Sequence, residues 1–165
     1  MKTCRETQSQ ITSAGGVVVR CVGAESFEYL LVGQKPDRSD YWGFPKGIQE
    51  PMELLEQTAT REILEESGVY ARLLALANIV HLPVVRDGKS YQKHIYYYLA
   101  YTTREAAAQT DGEFLQVGWF SLEEAYKRLT YPSDRQVLLL VQHYLDTIPL
   151  FKHILLEQFF YPDSY

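Results

Sequence analysis

Apolar and polar residues fall in blocks along the chain, and the period changes from block to block. Ile11 to Val22 is rich in β-branched residues around Gly15 and Gly16, and Phe27 to Gly33 answers it across a turn-like Gly-Ala-Glu-Ser, so two strands are predicted. From Leu54 to Ser67 the composition switches to Leu, Glu, Gln, Ala and Arg with no Gly or Pro, and Gly68 stops it. That spacing predicts a helix of about four turns. Leu55, Ala59 and Ile63 step along it at i, i+4 as a core-facing stripe. Ala71 to Val85 and Tyr91 to Thr103 are again strand-like, and the Arg86-Asp87-Gly88-Lys89 segment between them carries the Asp-Gly signal of a hairpin. Phe114 to Phe120 is a further strand. Ser121 with Glu124, and Ser133 with Gln136, have the spacing of capping boxes and open helices reaching Leu129 and the vicinity of Leu145. This order predicts an α/β fold with a mixed β-sheet between helices.

The apolar pattern continues beyond these elements. Pro149 to Tyr165 is strongly apolar and aromatic, which suits a short amphipathic helix packed on the domain, or a dimer contact. Membrane attachment is the weaker reading, because the segment lacks a basic face. The 165 residues, 46% hydrophobic, suffice for one domain over 1–165, with 149–165 as a C-terminal extension, in a monomer or homodimer. The net charge of −5 speaks against an extended nucleic-acid surface. Cys4 and Cys21 have no metal-ligand spacing, the first ten residues lack the apolar run of a signal peptide, and no stretch is long enough to cross a bilayer. A cytoplasmic protein with reduced thiols is the expectation.

Chemistry enters where the helix breaks its own pattern. Glu62 and Glu66 fall nearly on the apolar stripe, with Glu65 beside them. Carboxylates so spaced repel by about 0.2 to 0.5 kcal/mol per pair in water, and by more where burial removes screening. A hard divalent cation, Mg²⁺ or Mn²⁺, reverses the sign, because it takes oxygen ligands from carboxylates and substrate phosphates together. Arg61 stays charged at neutral pH and can hold a carboxylate in a bidentate pair. Glu53 is expected in the first turn of the helix, where its charge suits the dipole.

Read as a whole, Gly47 to Val69 is Gly, five residues, Glu53, seven residues, then Arg61-Glu62-Ile63-Leu64-Glu65-Glu66-Ser67-Gly68-Val69. Seven fixed positions coincide by chance about once in 10⁸ windows. The segment resembles the Nudix box at every specified position. The resemblance implies the Nudix α/β/α sandwich and a Mg²⁺-dependent hydrolase of phosphoanhydrides, in which water attacks one phosphorus and a Glu removes its proton. It implies Glu62 and Glu66 as metal ligands and candidate catalytic residues, Glu65 as a further ligand, and an Arg61–Glu53 pair locking the loop to the helix. Gly47 would let the main-chain carbonyl of Lys46 join the metal shell, and Gly68 would complete the box. Glu113, six residues before Trp119, matches a distant carboxylate that completes many Nudix sites.

The entry to the box, Tyr41-Trp42-Gly43-Phe44-Pro45-Lys46-Gly47, looks like that of the family's diadenosine tetraphosphate hydrolases and of some relatives acting on capped RNA ends. By the same resemblance Lys46, Lys93, Tyr97 and Tyr144 would bind the substrate, with Tyr97 and Tyr144 meeting the base. Alternation through Tyr96, Tyr97 and Tyr98 must, however, send some rings to the core. The implied substrate is a dinucleoside polyphosphate. A nucleoside triphosphate, a nucleotide sugar or an RNA 5′ end is the alternative, and a nucleotide sensor without catalysis belongs to another class. Relatives commonly read Glu-Pro-Gly-Glu where this chain has Glu50-Pro51-Met52-Glu53, which puts the loop geometry in question. His81, His94, His143 and His153 stand at no metal-ligand spacing.

Overall fold

The computed structural model describes residues 9–23, 26–35, 37–102 and 116–160. At its centre β1 (Ser9–Cys21) runs parallel to β6 (Lys89–Tyr101) over its whole pairing from Ser9↔Tyr91 to Val19↔Tyr101. The other edge of β1 is shared: Ser13 to Gly15 pair with β4 (Lys46–Ile48), and Val19 to Cys21 pair with β2 (Phe27–Lys35), both antiparallel. β3 (Arg38–Gly43) and β7 (Gln116–Phe120) flank β2, and β5 (Arg72–Arg86) closes the far side on β6. The main order is β3-β2-β1-β6-β5. Asp87 and Gly88 both take positive φ in the β5–β6 turn, as the hairpin signal requires.

Both faces of the sheet are covered, which explains why Val17, Val18 and Val19 form an unbroken buried run instead of alternating. One face, with Val17, Val19, Tyr29, Leu31, Tyr97 and Leu99, packs on α2 (Leu122–Arg128), α3 (Pro132–Thr147) and α4 (Pro149–Phe160). The other, with Ala14, Val18, Leu30, Tyr98 and Ala100, receives Ala59 and Ile63 of α1 (Leu55–Ser67). The result is the expected α/β/α sandwich.

Several expectations are corrected. β3 and β4 lie in a stretch where no strand was predicted, because Gly43, Pro45 and Gly47 mask two short strands held by their neighbours. Ser133 caps nothing: Pro132 occupies the first helical position, favoured there because its missing N–H has no partner to lose, and Tyr131 precedes it. Helix α4 exists, yet its apolar residues are spread around it. Leu155 is buried and Phe151 and Ile154 pack on the core, while Leu150 stands exposed. Glu53 sits ahead of the helix, whose N-terminal flanking residue is Leu54. Among the described residues no helix is long and apolar enough to cross a membrane.

Candidate active site

The loop from Gly47 to the start of α1 is held by its own side chains. Glu53 N–H donates to Glu50 O at 3.2 Å, closing a turn with Pro51 second and Met52 third. Met52 has φ 70 and its side chain is fully exposed. That is the type II pattern, whose third position favours Gly, so the departure noted in the sequence falls on a strained residue. Gln57 Oε1 accepts from Leu54 N–H at 2.8 Å and supplies the first-turn cap.

Arg61 then ties loop to helix. Its Nε and Nη2 donate to Glu53 Oε1 and Oε2 at 2.7 and 3.0 Å, a bidentate clamp, and Nη2 also reaches Ile48 O at 3.2 Å. Thr58 Oγ1 adds a bond to Glu53 at 2.7 Å. The Arg61 guanidinium first, with Thr58 and the Glu50 N–H assisting, holds the Glu53 carboxyl down at about 2. Nη1 of Arg61 meanwhile donates to Glu62 at 2.7 Å and Glu65 at 3.0 Å. One cation thus contacts three carboxylates; it eases the repulsion between Glu62 and Glu65 and leaves the box with an excess of negative charge. Gly68 ends the helix with φ 70, its N–H donating to Leu64 O.

Glu62 and Glu66 converge on the backbone of Lys46 and Gly47, Glu66 at the Lys46 N–H and Glu62 beside the Gly47 Cα. Glu66 is 4% exposed and accepts the Lys46 N–H at 2.8 Å. A Cβ on Gly47 would lie 2.1 Å from the Glu62 carboxylate, so a side chain there would push that carboxylate away from its place beside Arg61. Among the described residues no three His, Cys, Asp or Glu side chains gather as a metal cluster. Two carboxylates set against a main-chain turn remain a hard, all-oxygen donor set, and this fits a divalent cation that draws its other ligands from backbone, water and substrate. Glu113 lies outside the described residues.

Glu66 and Lys46 open into a cleft of about 770 Å³ between the sheet and the start of α3. Lys35, Arg38, Lys46 and Lys93 bring four cations to its walls, facing Asp37, Glu66 and Asp134. Burial first, then the charges of Lys46 and Lys35, lower the pKa of Lys93. Lys46 is held well above its ordinary range: burial opposes this, and Tyr97, Tyr41 and Asp134 outweigh it. Its Nζ donates to Tyr41 Oη at 3.0 Å and Phe44 O at 3.2 Å. At the rim, Arg38 Nη1 donates to Tyr131 Oη at 2.8 Å, and its guanidinium lies 5.5 Å from the Tyr41 ring and 5.7 Å from that of Tyr131.

The structure thus brings Lys46, Glu66 and Lys93 into one cleft, with Glu62 beside them; Glu65 stays outside on Arg61. The two aromatic candidates are not among the residues lining the cleft. Tyr97 is fully buried beneath the cleft, its ring edge-on to Phe44 and its hydroxyl on Asp134 at 2.7 Å, so it presents no face to a base. Tyr144 packs on the core, its hydroxyl directed to Ala77 O at 3.4 Å, and does not line the cleft. Sequence reasoning missed Arg38 and Tyr41, both on β3, and Tyr131 and Asp134 at the start of α3. Pro132, favoured at a helix start, is the signal that could have placed Asp134 in the first turn of α3.

A mixed sheet between helix layers, with an acidic helix abutting a cation-lined cleft, defines an α/β/α protein equipped to hold a phosphorylated ligand. The sequence model of the NUDIX domain matches residues 12–141, and the chain belongs to the Nudix family. It is 30% identical over 151 residues to MutT4 of Mycobacterium tuberculosis (strain CDC 1551 / Oshkosh), covering 90% of this chain and 59% of that protein. It is 29% identical over 143 residues to the 8-oxo-(d)GTP phosphatase of Mycolicibacterium smegmatis, covering 82% of this chain and 42% of that one. The chain thus spans about half the length of these relatives. Among solved structures, a binary complex of the C. elegans Ap4A hydrolase superposes with a TM-score of 0.68 at 27% identity, covering 82% of this chain and 98% of that one.

Proposed function

We propose that this chain is a Mg²⁺-dependent hydrolase that cleaves a phosphoanhydride in a nucleoside diphosphate linked to another group, with a dinucleoside polyphosphate as its leading substrate. The observation that carries the reading is the juxtaposition of buried Glu66 with Lys46 and Lys93 in one cleft. Glu62 and Glu66 would hold the cation, joined by the Lys46 carbonyl. When bound, it neutralises phosphate oxygens and orients water. Lys46, Lys93, Lys35 and Arg38 would bind the remaining phosphate oxygens, the two lysines nearest the box fixing the chain against Glu66. One box carboxylate takes the proton of the attacking water as the new P–O bond forms, and the anhydride oxygen leaves with the departing phosphate. Glu53, clamped by Arg61, keeps the loop in place and has no further part in the reaction.

Likeness to the Ap4A hydrolase supports the dinucleotide substrate, and likeness to the 8-oxo-(d)GTP phosphatase supports a nucleoside triphosphate as the second reading. A product assay with Mg²⁺ on diadenosine tetraphosphate, ATP, ADP-ribose and 5′-triphosphorylated RNA separates them. ATP plus AMP from the dinucleotide is the expected result. Preferential cleavage of another member keeps the chemistry and replaces the substrate, and binding of all four without turnover sinks the hydrolase. Glu66→Gln is expected to lower kcat by at least about 100-fold, the scale of losing a positioned acid–base or electrostatic group; an unchanged rate would remove Glu66 from the site.

A further inference from the structure

The histidines show no ligand spacing along the chain, yet the sheet brings two of them together. β5 and β6 pair His81 directly with His94, and their Nδ1 atoms stand 2.6 Å apart, with ring centroids 4.7 Å apart and ring planes at 81°. Leu82, Lys93 and Ile95 line the cleft, so by alternation His81 and His94 lie on the opposite face of the same two strands. Helix α1 covers that face at Ala14, Tyr96 and Tyr98, and His81, further along β5, is exposed to solvent.

Neutral imidazole is a ligand for borderline transition metals, in contrast to the hard carboxylates of the box. Ligation at about 2.0 to 2.1 Å places two nitrogens about 2.9 Å apart at a right angle about the metal and about 3.3 Å apart at a tetrahedral one. The observed pair therefore needs to open by roughly 0.3 Å to take an ion of square or octahedral geometry, and by roughly twice that for a tetrahedral one. His94 Nε2 is buried and has no partner among the described residues, so Nδ1, aimed at the other ring, is the nitrogen by which it can bind. Ligation there leaves the proton on that buried Nε2 without an acceptor. This lowers affinity and separates the pair from a tight structural centre, whose second nitrogen is supported.

We propose that His81 and His94 form a second metal site, a two-nitrogen chelate on the face away from the cleft, for a borderline divalent ion of right-angled coordination such as Ni²⁺ or Cu²⁺, with water in its remaining positions. The ion would join β5 to β6 across the long hairpin, on the reverse of the strand that carries Lys93 into the cleft. Because it binds the folded pairing and not the separated strands, it also stabilises the fold by mass action.

The test is calorimetric titration of the full chain, free of any histidine tag, with Ni²⁺ in an excess of Mg²⁺, which occupies hard oxygen sites and competes poorly for imidazole. Affinity is expected to fall at least about 10-fold in His81→Gln and again in His94→Gln, because each removes one arm of a chelate. His143→Gln and Glu66→Gln should leave it unchanged. Ni²⁺ should raise the melting temperature of the unmodified protein and not that of either pair variant. A readout that needs no variant is the electron paramagnetic resonance spectrum of the protein with one equivalent of Cu²⁺, which should carry the hyperfine pattern of two nitrogen donors. Absence of Ni²⁺ binding, a copper spectrum without paired nitrogens, or an affinity that survives loss of either histidine overturns the assignment. Weaker binding in Glu66→Gln would also overturn it, by moving the ion to the carboxylates of the box.

Discussion

Met52 shows how one residue can carry a local cost without disturbing the site it adjoins. Its φ of 70 lies in the left-handed region, where a non-Gly residue is strained by roughly 1 to 2 kcal/mol, and its fully exposed side chain makes no burial contribution to offset that. Met52→Gly is therefore expected to raise stability by about 0.5 to 1 kcal/mol, the relief of strain being partly cancelled by the greater freedom of Gly in the unfolded chain. Urea titration monitored by tryptophan fluorescence reads the change, and a loss of stability would mean that Met52 is not strained. The sequence already set this residue apart, because the resemblance carried a Gly there. It could not do the same for Tyr97. In a run of three tyrosines alternation says that some rings face the core but not which, and the register of β6 against β1 decides it.

At the scale of elements, the box is a loop and a helix joined through one guanidinium. Because Arg61 and its neighbours hold the Glu53 carboxyl near 2, against 4.5 for the free group, the contribution of Glu53 is fully present above about pH 4.5. It fades as pH falls through about 2, where the folded state also takes up the proton. The difference in melting temperature between the unmodified protein and Glu53→Gln should accordingly be largest near neutrality and shrink steadily below pH 4.5; a difference that stays constant down to pH 2 would show that the charge of Glu53 is not what holds the loop. The helix itself, its stop at Gly68 and the Asp87-Gly88 hairpin were legible because each rests on local chemistry. β3 and β4 were not, being short strands whose pairing partners lie far off in sequence. The Ser133 box misled for a related reason: a proline one residue earlier had already fixed the helix start.

For the molecule as a whole, the last helix is part of the packing. Leu155 is 3% exposed within the same cluster as Val17, Leu31 and Leu99. Leu155→Ala is expected to cost about 2 to 5 kcal/mol by denaturant melting, whereas a tail merely appended to the domain would lose less than about 0.5. The layers of the sandwich could be read from the order of strands and helices, but the cleft could not. Its walls come from β2, β3, β4 and α1 on one side and β5, β6 and α3 on the other, and no local pattern announces a meeting of seven elements.

Among the described residues, those two sides are joined in the sheet through β1 alone. Because β1 is bound along its length to β6 and grips β2 and β4 by separate halves of its other edge, the lysines of one wall cannot drift from those of the other without tearing ladder hydrogen bonds at the centre of the molecule. The gap between them behaves as a fixed gauge, cut to size before any ligand arrives.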